Sequence, residues 1–104
     1  MMSRRQELTD LFSEIDGIEA TASAHGVEFT IAHSGECKRV RWDVSDAELS
    51  KILYDYSKDA KAATGSSDGG ALLTVHIEET LRTTTTSGAL EKTRNGFAVE
   101  PSTT

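Results

Sequence analysis

VSDAELSKILYDYSKDAKAATG, residues 44–65, carries every local signal of a complete amphipathic helix. Ser45 and Glu48 form a capping box, each side chain satisfying a backbone N–H that the first turn leaves unpaired. Val44 and Leu49 occupy the two positions of a hydrophobic staple. Leu49, Ile52, Leu53, Tyr56, Ala60 and Ala63 recur at helical spacing along one stripe, with Lys51, Asp55, Lys58 and Asp59 off it. Gly65 ends the segment, since glycine enters the left-handed conformation that releases a chain from a helix. A helix of about 19 residues spans roughly 28 Å, enough to lie across a small sheet.

Upstream of this helix the period is two. Val27, Phe29 and Ile31 alternate with polar residues, as do Val40, Trp42 and Val44, and Gly35-Glu36 between them suits a type II′ turn. That turn would pair Val27 with Val44, Phe29 with Trp42 and Ile31 with Val40. Ile18, Ala20, Ala22 and Ala24 alternate in the same way before His25-Gly26, which as a two-residue turn sets Ala22 against Phe29 and Ala20 against Ile31. Three strands over 18–24, 27–33 and 38–44 are therefore expected to lead into the helix. An earlier helix of about 13 residues, with Ser3 and Gln6 as cap and Leu8, Leu11, Phe12 and Ile15 as its face, should stop at Gly17.

Downstream, residues 66–70 read as a flexible connection, and Ala71, Leu73, Val75 and Ile77 alternate as in a fourth strand. Residues 80–100 are ambiguous. Phe97 to Val99 suit a short edge strand, but a hairpin turning at Asn95-Gly96 would set Phe97 against Arg94. A helix over Ala89 to Arg94 explains those residues equally well. The expected architecture is a single α+β domain over 1–100 with a frayed tail over 101–104. In it two helices cover one face of a mainly antiparallel sheet, in the order α-β-β-β-α-β(-β).

Composition supports one domain: the 104 residues are 37% hydrophobic and 27% charged. The net charge of −6 argues against sequence-independent binding to nucleic acid, which needs a net basic surface. Cys37 is the single cysteine, so no intrachain disulfide can form, which suits a reducing compartment. The first twenty residues hold no uninterrupted apolar run of the kind a secretory signal needs. A cytoplasmic protein without a membrane span follows as the expectation.

Four constellations could carry chemistry. His33 and Cys37 flank the Gly35 turn and would make a reactive pair if a third group oriented them; they cannot complete a structural zinc site, because His25 and His76 are isolated. Lys38, Arg39 and Arg41 form the basic cluster, but Trp42 shares parity with Val40 and Val44 and should point into the core, leaving the cations no stacking platform. Glu78 and Glu79 would diverge as strand neighbours and could not share a proton. Gly65, Gly69 and Gly70 lack the lysine and spacing of a phosphate loop.

No cofactor or metal is expected, and no catalytic residue. The sheet face away from the helices would present Glu19, Thr21, Ser23, Glu28, Thr30, Arg39, Arg41 and Asp43. The leading expectation is a protein-binding or regulatory module, of inhibitor, immunity or adaptor type. It would act through this face or its edge strands on a partner protein or a second copy, using Thr30, Lys38, Arg39 and Arg41. The alternatives are nucleic-acid binding by the basic strand and a small enzyme or ligand binder at His33 and Cys37.

Overall fold

The computed structural model describes residues 3–33, 35–65, 69–84, 86–94 and 96–101, apart from the side chains of His33 and Thr64. The elements are α1 (Arg4–Phe12), β1 (Ile18–Ala22), β2 (Gly26–His33), β3 (Glu36–Asp43), α2 (Asp46–Thr64), α3 (Gly69–Thr83), β4 (Gly88–Thr93) and β5 (Gly96–Pro101). The sheet runs β1-β2-β3-β4-β5 in space, antiparallel throughout except where β4 lies parallel to β3. This is an α+β fold with helices packed on one face of a mostly antiparallel sheet. The part of the tail over 102–104 lies outside the described residues, and Pro101 ends β5.

α2 forms as its sequence dictates. Ser45 Oγ accepts from the Glu48 backbone N–H at 3.1 Å, and Gly65 closes the helix at φ +80°. Val44 and Leu49 are both buried. α1 is shorter than expected, ending at Phe12 with Ser13 as its C-cap, while Gly17 at φ +86° turns the chain into β1. Phe12 meets Phe29 of β2 edge-on, with ring centroids 5.0 Å apart. Each such buried side chain contributes about 1.5–3 kcal/mol relative to exposure.

Both expected hairpins form with the expected faces, shifted by two residues. Ala22 pairs with Val27 and Ala20 with Phe29; Val27 pairs with Trp42 and Phe29 with Val40. A two-residue slip conserves side-chain parity, so the hydrophobic pattern alone does not distinguish the registers. The turns decide. Ser23 Oγ accepts from the N–H groups of His25 and Gly26, which lengthens the first loop and draws Gly26 into β2. There a Cβ would sit 1.9 Å from the Trp42 carbonyl oxygen. The second hairpin closes with His33 opposite Glu36, and Gly35 between them has φ +82°.

The fourth strand expected over 71–78 is instead part of α3. Leu73, Ile77 and Leu81 recur every four residues and are fully buried, whereas a strand would have buried Val75, which is 50% exposed. α3 crosses α2 closely at Gly69, where a Cβ would lie 2.5 Å from the Ser57 nitrogen and 2.7 Å from the Leu53 carbonyl oxygen. Residues 66–68 of the expected connection lie outside the described ones. The alternative helix over 89–94 is likewise replaced, by β4. Its hairpin with β5 pairs Leu90 with Val99 and Lys92 with Phe97, giving the facial agreement that a turn at 95–96 would have denied.

Candidate functional site: a crease in the open sheet face

Strand alternation sorts the sheet into two faces. Val27, Phe29, Ile31, Val40, Trp42 and Leu90 turn toward the helices and are buried. Glu28, Arg39, Arg41 and Asp43 turn the other way and are exposed, with Thr30 half-buried among them. Register brings Thr30 opposite Arg39 and Glu28 opposite Arg41.

Where β4 joins β3, this open face folds into a crease of about 770 Å³, open to solvent along its length. β2 and β3 supply one wall; Ser87, Gly88 and Ala89 at the start of β4, with Glu100 and Pro101 of β5, supply the other. The junction is narrow, since Val40 and Arg41 alone pair with Gly88 and Ala89. Ser87 Oγ accepts from the Arg39 backbone N–H at 3.1 Å and so seals the end of the junction. Gly88 is required, because a Cβ there would fall 1.9 Å from the Glu100 carbonyl oxygen.

The charges in the crease are unequally satisfied. Arg41 donates to Asp43 from Nε and Nη2 at 3.3 and 3.2 Å, and both side chains are well exposed, so the pair adds little stability. The Arg39 guanidinium has no hydrogen bond or ion pair with any described residue. It is thus a cation held on a rigid strand, in a concave site, within an acidic protein.

The other expected site residues disperse. Lys38 lies opposite Ile31, on the parity of the helix side, so it does not share the face of Arg39 and Arg41. Trp42 is buried, with its ring edge-on to Phe97 at 5.4 Å. Cys37 is exposed and pairs with Ala32, whereas His33 pairs with Glu36, so the two occupy alternating positions of the ladder; the His33 side chain lies outside those described. Glu78 and Glu79 sit on α3, where Glu78 accepts from Arg82 Nε at 2.9 Å. Tyr54 is exposed, with Lys58 Nζ 4.5 Å from its ring centre. Among the described residues no three His, Cys, Asp or Glu side chains converge as metal ligands, and no helix is long and apolar enough to cross a membrane.

Two clusters escaped the sequence reading. Tyr56 shares a hydrogen bond with Nδ1 of His76 at 3.1 Å, and Phe97 stacks against its ring. Lys92 Nζ lies 5.6 Å from the Tyr56 ring centre. Burial, and secondarily the Asp59 carboxylate, push the Tyr56 hydroxyl above its ordinary value of 10.0. Through these contacts the cluster ties α2, α3 and β5 together. Arg5 does the same elsewhere: Nε donates to Asp46 at 3.1 Å and Nη1 to the carbonyls of Ser23 and Ala24. Recognising α3 as a helix would have revealed the first cluster; the second left no sequence signal.

Comparison with protein-family models, curated proteins and solved structures returned no match.

Proposed function

We propose that the protein is a binding module that docks a segment of a partner protein in the crease of its open sheet face, with a partner carboxylate received by Arg39. The observation that supports this most is the unpaired Arg39 guanidinium in a concavity of about 770 Å³ on the helix-free side of the sheet. Arginine donates to a carboxylate through two parallel N–H···O bonds, a geometry lysine cannot reproduce. Glu28, Asp43 and Glu100 around it set specificity by rejecting a uniformly acidic segment. The alternation that buries Trp42 removes the aromatic platform that single-stranded nucleic acid would use.

The test is affinity capture from native lysate with wild type, Arg39→Glu and Arg39→Lys, followed by photo-crosslinking from position 89. A partner that is lost with Arg39→Glu, weakened with Arg39→Lys and crosslinked at position 89 supports the reading. Identical captured sets for wild type and Arg39→Glu would overturn it. Capture abolished by nuclease would place the nucleic-acid reading ahead of it.

A further inference from the structure

The two outer edges of the sheet differ. A helix packs against each outer strand, α1 against β1 and α3 against β5, but β5 ends in Pro101 and its Phe97 carbonyl accepts from Thr80 Oγ1 at 3.5 Å. β1, with sequence IEATA, carries no proline, lysine or bulge, the devices that ordinarily blunt an edge. The Ser23 N–H donates to the Gly26 carbonyl at 2.8 Å. By the alternation of an antiparallel ladder, Thr21 and Glu19 therefore also turn their backbone groups to β2, while Ile18, Ala20 and Ala22 turn theirs outward. Ile18 N–H is used by the Ile15 carbonyl, but the outward groups of Ala20 and Ala22 meet no partner among the described residues.

We propose that β1 pairs antiparallel with β1 of a second copy, about a two-fold axis through Ala20, so that two sheets join into one of ten strands. Each Ala20 then exchanges two N–H···O bonds with its counterpart, and each Ala22 N–H donates to the Ile18 carbonyl across the axis. The strand is complementary to itself in this register. Ile18 faces Ala22 on the helix side, where Ile18 and Ala20 already belong to the apolar core. On the open side Glu19 faces Thr21, so no like charges oppose one another. The two open faces become continuous, and each dimer carries two Arg39 creases on one surface. The pairing requires nothing of Arg39 itself.

Sedimentation velocity over a concentration series tests it, with paired charge variants. In Thr21→Lys the new cation lies opposite Glu28 within its own sheet and opposite Glu19 of the second copy, so the dimer dissociation constant should fall between about twofold and thirtyfold. Adding Glu19→Lys sets lysine against lysine across the axis while leaving the contact with Glu28, and should weaken the dimer beyond wild type. Ala20→Pro removes an N–H that the monomer does not use and should yield folded monomer. A wild type that stays monomeric at several hundred micromolar would overturn the proposal. So would a dimer whose dissociation is the same in wild type, Thr21→Lys and Glu19→Lys/Thr21→Lys, since these exposed substitutions leave the fold intact.

Discussion

β3 is held on one flank by β2 through eight register pairs and on the other by β4 through two. The first flank is a hairpin closed by adjacent residues; the second joins segments separated by the whole of α2 and α3. On the first flank, backbone pairing holds β2 to β3 along their whole length. On the other side the hairpin of β4 and β5 depends on side chains: Phe97 wedged between Trp42 and Tyr56, and Ser87 on the Arg39 backbone. The crease lies at this weaker joint, where two register pairs hold β4 against β3.

The contrast can be broken most directly at the two phenylalanines. Phe29→Ala empties a fully buried position in the well-paired body and should cost about 3–5 kcal/mol, read as a fall in denaturant midpoint with unchanged m-value. Phe97→Ala, at a half-buried site, should cost less, and native-state hydrogen exchange should show its effect concentrated in 88–101. Gly88→Ala drives a Cβ into the Glu100 carbonyl and should cost about 1–3 kcal/mol, with fluorescence of Trp42 reporting displacement of Phe97. Smaller effects sharpen the comparison. Ser45→Ala and Ser87→Ala each remove one hydroxyl acceptor, at about 1 kcal/mol, but only Ser87→Ala should speed exchange of the Arg39 amide.

The subtlest expectation concerns alkaline pH. Because the folded protein holds the Tyr56 hydroxyl above 10.0, its unfolded chain loses that proton first. The stabilisation is present in full below pH 10.0 and declines as pH rises toward the folded value. Tyr56→Phe should therefore flatten the alkaline limb of stability against pH measured by urea titration, and an unchanged slope would count against the burial argument.

The legible parts of the sequence were those governed by local chemistry. Ser45, Val44, Leu49 and Gly65 fixed both ends of α2 without reference to the rest of the chain. Parity fixed the faces of β1, β2 and β3 and hence the outward positions of Thr30, Arg39 and Arg41, but not their register, because Ser23 and Gly35 set the loops in a way the apolar pattern does not record. α3 is ambiguous in sequence, since Ala71, Leu73, Val75 and Ile77 satisfy a period of two while Leu73, Ile77 and Leu81 satisfy one near four; burial of Leu81 requires the second. The crease itself was illegible. It arises from Gly88 meeting Glu100 and from a parallel junction of two residues, neither of which has a local signature.

The spatial order of the strands repeats their order along the chain, yet the step from β3 to β4 carries the polypeptide through two helices before it returns. Closing so long a loop costs chain entropy that a two-residue ladder repays poorly. The consequence is one of timing. β1, β2 and β3 gain their contacts from neighbours in sequence and can assemble early, whereas β4 finds its place only after α2 and α3 have packed at Gly69 and brought residue 88 alongside residue 40. On this order the crease is expected to form only once the helical layer is complete.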